Sequence, residues 1–239
     1  MLNTVPIMIK EMTIALALAA PVASAAVAGP YDDGLAAYDK GDYATAITLF
    51  RPLANQGNLL AQYKLGFIFS QGKGVAQDYT QAVIWYRMAA DQGNADAQFN
   101  LGNFYRNGRG VQQDAAQAVV WFRKAADQGN VDAQFNLGLA YRNGDGVPKD
   151  YVQAAIWERK AADQGDAAAQ ISLAFMYENG QGVPQDYVQA HMWSNLAVSH
   201  SADPADRADA VKQRDLVAAK MTPTQIAEAQ RLASAWKPK

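Results

Sequence analysis

The chain has 239 residues, half of them apolar, which is enough for one or two ordinary domains or for one repeat array. Its 21 basic and 23 acidic residues leave a net charge of −2, and no basic tract is present, which argues against nucleic acid as the main partner. Cysteine is absent, so a disulfide framework, a thiolate nucleophile and a zinc–cysteine site are excluded.

The first 28 residues differ in composition from the rest. Lys10 precedes an apolar stretch over residues 14–20, Pro21 ends it, and small residues follow up to Gly29. A basic start, a short apolar run and an A-x-A-like site form the pattern of a secretory signal peptide, here residues 1–25, with cleavage after Ala25 or Ala28. Met8 is an alternative start. The run is shorter than the ~18–20 residues that a spanning helix needs. No cysteine follows it to carry a lipid. The expectation is a periplasmic or secreted protein with no membrane span after cleavage.

Residues 31–57 hold a first helix pair with a tight Gly41-Asp42-Tyr43 turn. From residue 58 to residue 200 one unit recurs four times. Residues 91–111 read DQGNADAQFNLGNFYRNGRGV, and residues 127–147 read DQGNVDAQFNLGLAYRNGDGV. The same 36-residue offset carries Trp85 to Trp121, Trp157 and Trp193. A fixed period of this size marks an array of one supersecondary unit.

In the second copy Asn94 caps a helix over Ala95–Asn107, with Asp96 near its positive end. Gly108 and Gly110 break that helix and allow a turn with positive φ. Asp114 starts the second helix, and Gln117 three residues on makes a D-x-x-Q capping box, repeated at Asp78/Gln81, Asp150/Gln153 and Asp186/Gln189. Gly102, like Gly66 and Gly138, lets a neighbouring helix approach. Tyr105 and Tyr141 lock one pair to the next, and the tryptophans fill the space between pairs. Such pairs bury their apolar faces only by stacking, which predicts an all-α, right-handed α-solenoid of antiparallel helix pairs.

Residues 201–239 predict C-terminal capping helices. Residues 204–219 take the slot of a further first helix but are mostly polar. Thr222-Pro223-Thr224-Gln225 is a clean helix start, and Ile226, Ala229, Leu232, Ala233 and Trp236 give the last helix an apolar stripe.

Ala97, Leu101-Gly102, Tyr105, Gly108-x-Gly110-Val111, Asp114, Ala118, Trp121, Lys124-Ala125-Ala126 and Gly129 closely resemble the Sel1-like repeat, a 36-residue relative of the tetratricopeptide repeat. Residues 34–54 resemble a shorter tetratricopeptide-type pair. The resemblance implies a non-enzymatic protein–protein adaptor. Exported bacterial members often act in the cell envelope, so the implied partner is an envelope protein or a sensor ectodomain. Some cysteine-rich members are credited with β-lactam binding or hydrolysis, which keeps a weak hydrolase or cell-wall binder as the alternative.

In tetratricopeptide-type stacks the first helices line the concave face. Carried over, that places a partner groove at Tyr63, Phe67, Phe99, Asn100, Asn103, Arg106, Phe135, Asn136, Arg142 and Phe175. Aromatic surface, amides and cations in alternation suit an extended or helical segment with apolar anchors and an acidic group. Phe99 and Phe135 have a packing alternative between repeats, and the arginines a solvated one. For chemistry, His191 and His200 lie nine residues apart without a third ligand, so no metal is expected. His191, in the place of Val83 and Val119, reads as a partly buried or surface helix residue. No P-loop, G-x-S-x-G or S-x-x-K motif appears, no catalytic set is assigned, and no cofactor is expected. Glu158 and Glu178 remain the one carboxylate pair that the stacking could bring near each other.

Overall fold

The computed structural model describes residues 29–238, so the signal-peptide reading falls outside the described residues. These residues form helices throughout, in the order α1 Pro30–Asp39, α2 Tyr43–Asn55, α3 Leu59–Gln71, α4 Tyr79–Asp91, α5 Ala95–Asn107, α6 Ala115–Asp127, α7 Val131–Asn143, α8 Tyr151–Asp163, α9 Ala167–Asn179, α10 Tyr187–His200, α11 Pro204–Ala218 and α12 Pro223–Ala235. Consecutive helices pair from α1·α2 to α9·α10, and each pair packs on the next, giving the α-solenoid that the period predicts. None of the described helices is long and apolar enough to cross a membrane.

The caps explain where the helices start. Asn58, Asn94, Asn130 and Asp166 accept from the backbone N–H three residues on and open the first helices. Asp78, Asp114, Asp150 and Asp186 do the same for the second helices. The return arm of the D-x-x-Q box does not form in these four helices. The N–H it would bind is already used: that of Asp114 donates to the Tyr105 carbonyl at 2.9 Å, and Asp78, Asp150 and Asp186 bond Phe69, Tyr141 and Tyr177 likewise. The cap therefore ties the loop back to the first helix. At Thr222 no such claim exists, and both arms form with Gln225. Asp114→Ala is expected to cost about 1 kcal/mol, seen as a lower urea midpoint at unchanged slope.

Within a pair, a residue without a side chain on the first helix receives a ring from the second. A Cβ on Gly34, Gly66 or Gly102 would come within 2.6–2.7 Å of Phe50, Tyr86 or Phe122. At Gly138 the same seat holds the Glu158 side chain, its Cγ 2.5 Å from where a Cβ would stand.

Between pairs, two ladders run the length of the stack. Arg87, Arg123 and Arg159 donate to the hydroxyls of Tyr105, Tyr141 and Tyr177 one pair further on. Their guanidiniums lie 5.2–5.7 Å from the ring centres of Trp121, Trp157 and Trp193. A second ladder is made of buried amides. Gln62, Gln98, Gln134 and Gln170 donate to the carbonyls of Ala54, Ala90, Ala126 and Ala162. Each of the first three then accepts from Gln92, Gln128 or Gln164 at 2.6–2.8 Å. His200 takes that place at the last rung, its Nδ1 3.0 Å from Gln170 Oε1.

The C-terminal helices close the stack. α11 packs on α10 and reaches α9, burying Ala210 and Val217. α12 also packs on α10, and Ala229, Leu232, Ala233 and Trp236 join Met192, Trp193 and Leu196 in one apolar cluster. His191, read from sequence as a partly buried or surface residue, is 3% exposed, because its position is a buried one in every copy, as Val83, Val119 and Ala155 also show. Burial, aided by Arg214 of α11 and opposed by Asp215, pushes its pKa down.

Candidate binding groove

The first helices of the first two 36-residue copies, α3 and α5, enclose a cavity of about 610 Å³. Six of the ten residues placed in the groove from sequence line it: Tyr63, Phe67, Phe99, Asn100, Asn103 and Arg106. The helical period brings them there, since Phe99, Asn103 and Arg106 recur on one side of α5 and Tyr63 and Phe67 on the matching side of α3. Aromatic rings from the second helix of the first copy complete the wall through Tyr79 and Tyr86.

The polar groups differ in how far they are committed. Asn103 Oδ1 is buried without a hydrogen-bond partner among the described residues. Asn136 is occupied on both sides: it accepts from Arg106, and its amide donates to the Asp132 carbonyl at 2.8 Å. The Arg106 guanidinium lies 5.6 Å from the centre of the Phe122 ring, and no described carboxylate pairs with it. Partial burial lowers its pKa, with Asp145 acting in the opposite sense. A smaller cavity of about 110 Å³ continues the groove past Arg106 to Asn136, Leu139 and Asp145.

The other three residues stand apart from both cavities. Phe135 is half-buried against the cluster around Leu173 and Trp193, the packing alternative. Phe175 is 45% exposed on α9. Arg142 donates to Ser172 Oγ, and its Nη1 lies 3.8 Å from Oε1 of the fully buried Glu158. Farther along, Glu178 holds Lys220 at 2.8 Å and accepts from Gln213 of α11. Glu158 and Glu178 therefore have separate partners, Arg142 for one and the C-terminal segment for the other.

Several lining residues were not found from sequence. Arg109 belongs to the Gly108-x-Gly110 turn, where a variable loop residue gives no signal of direction. Asp96 and Asp132 line the large cavity from the first turns of α5 and α7, where they read as helix-end charges. Their 36-residue spacing was the available clue.

A family model described as the Sel1 repeat matches residues 21–58, 59–94, 95–130, 131–166 and 167–200. The chain belongs to the Sel1 repeat family. The match counts five repeats where the 36-residue period shows four, because it takes in the α1·α2 pair. The turn inside that pair spans residues 40–42, against residues 72–78 in the next, so α1 falls out of register while α2 stays in phase with α4. Among solved structures, a protective antigen of uropathogenic Escherichia coli with an SLR fold is 39% identical, with a TM-score of 0.74 over 85% of this chain. The chain spans 44% of that protein. A Sel1 repeat protein from Oxalobacter formigenes is 30% identical, with a TM-score of 0.69, covering 81% of this chain and 86% of its own. A search of curated proteins found no match. Sel1 repeat proteins are generally protein–protein interaction scaffolds, and the fold is typically non-enzymatic.

Proposed function

We propose that this Sel1 repeat protein is an adaptor of the bacterial cell envelope that holds a segment of a partner protein in the groove over α3 and α5. The observation that carries this is the cavity of about 610 Å³ lined by aromatic rings, amides and a guanidinium without a carboxylate partner. The rings take an apolar anchor, and Arg106 takes an acid as a charge-assisted hydrogen bond. The envelope part rests on the export pattern of residues 1–25 and is supported by the likeness to a protective antigen.

The test is crosslinking in intact producing cells, followed by affinity measurement on the captured partner. Arg106→Glu is expected to weaken capture by tenfold or more, since a hydrogen bond to a charged group is worth about 1.5–3 kcal/mol and 1.4 kcal/mol is tenfold. The variant also loses the contacts of Arg106 with Asn136 and the Phe122 ring, so the melting curve is expected to fall slightly, and affinity is measured well below it. Capture at unchanged affinity removes the groove.

A further inference from the structure

Glu158 breaks the pattern of the stack. The same seat carries Phe50, Tyr86 and Phe122 in the preceding pairs, each a ring against a glycine. In the second copy Arg106 lies over the Phe122 ring. In the third copy the ring is replaced by a carboxylate, and the equivalent arginine, Arg142, turns to it. Glu158 is 0% exposed, and neither oxygen has a hydrogen-bond partner among the described residues. Arg142 from α7 and Ser172 from α9 are the charged and polar side chains that act on it. The Arg142 side chain is 28% exposed, so it is the only member of the trio that solvent or a ligand reaches well.

We propose that Glu158 is an internal counter-acid that holds Arg142 when ionised and frees the Arg142 charge for an acidic ligand when it takes up a proton. The inference rests on the groove reading above and extends it by one repeat, past the two cavities. Arg106 in the groove and Arg142 one repeat beyond it are then unequal. Arg106 reads an acidic side chain wherever that acid is ionised, whereas an acid reaching Arg142 must displace Glu158 and so binds together with a proton. The geometry supports an incomplete pair, since 3.8 Å is beyond hydrogen-bond reach and leaves the carboxylate weakly compensated in a dry site. Burial accordingly raises the Glu158 pKa, with Ser172 and Arg142 pulling it back. The transition therefore lies above the ordinary carboxylate range. Below it Arg142 keeps its hydrogen bond to Ser172 but faces no countercharge, and above it Arg142 is countered. The sign for stability follows: the folded state binds the proton more tightly, so this group's contribution is present at low pH and is lost as pH rises through the transition.

The test is a carbon-detected NMR titration of the side-chain carboxyls of the intact chain, with Glu158→Gln assigning the resonance. Glu158 is expected to titrate above the other glutamates, and the Arg142 guanidinium signal to move with it. Arg142→Gln is expected to raise the transition further, and Arg142→Lys to restore it in part. Hexaglutamate is the ligand probe: its binding is expected to take up protons and to weaken up to tenfold per pH unit above the transition, while Glu158→Gln binds it at the same affinity throughout. An ordinary Glu158 titration, or one unmoved by Arg142→Gln, overturns the proposal. Hexaglutamate that binds no form of the chain, with the titration behaving as expected, supports the Glu158–Arg142 pair and counts against the groove.

Discussion

Gly110→Ala is expected to destabilise the stack by about 3 kcal/mol or more, well beyond the cost of the same change at Gly93. Both residues have positive φ, 69° at Gly110 and 93° at Gly93. A side chain in that region costs about 1–2 kcal/mol by itself. The difference lies in what a methyl group would meet. At Gly93 nothing lies within 4 Å. At Gly110 the new Cβ would sit 2.4 Å from the Tyr79 carbonyl carbon and oxygen and 2.8 Å from Thr80 N. These are backbone atoms in the first turn of α4, one repeat back, and no rotamer change relieves them. The turn has to lift off α4, which opens the seam between the α3·α4 and α5·α6 pairs. Urea unfolding followed by far-UV circular dichroism gives both values. Equal losses at the two positions would mean that the turn is not part of the seam.

This seam shows what one sequence can and cannot disclose. The repeat made the fold legible, because each local signal recurs in register and the copies vouch for one another: the helix expected over Ala95–Asn107 is α5 to the residue. What failed was set by contacts between elements. The D-x-x-Q return arm is pre-empted by the Tyr105 carbonyl on another helix. His191 is buried where α10 meets α11, as Val83 and Val119 are at the same place in the earlier copies, where one pair meets the next. The groove was partly legible for the same reason. Tyr63, Phe67, Phe99, Asn100, Asn103 and Arg106 line one cavity because a helix face is fixed by its period. Phe135 shares the register of Phe99, and both pack against an apolar cluster, but only Phe99 also lines the large cavity, a difference that register alone does not tell. Arg142 depends on Glu158, which lies on the facing helix. Setting the copies in columns exposes that residue at once, as a carboxylate in a column of Phe50, Tyr86 and Phe122.

Trp121→Ala is expected to cost about 3–5 kcal/mol, the range for deleting a buried large aromatic, and to split the unfolding transition rather than simply shift it. Trp121 is 4% exposed and belongs to the apolar cluster of the preceding pair, with Trp85, Tyr86 and Phe104. The Arg87 guanidinium lies 5.7 Å from its ring centre, and Lys124 Nζ lies 3.9 Å from it. Deleting the indole therefore leaves a void and removes two cation contacts at one seam. In a linear stack each repeat touches only its neighbours, so cooperativity passes through the seams one at a time. Weakening one of them lets α1–α4 and α5–α12 unfold at different urea concentrations. Hydrogen exchange should show α3 and α4 losing protection before α8 to α10. The large cavity straddles this seam, with Tyr63 and Phe67 on one side and Phe99 and Arg106 on the other. Partner affinity is thus expected to fall by the fraction of molecules in which the seam is open, although Trp121 does not line the cavity. A lowered midpoint with an unchanged slope would show instead that the whole array folds as one unit and that this tryptophan only fills space.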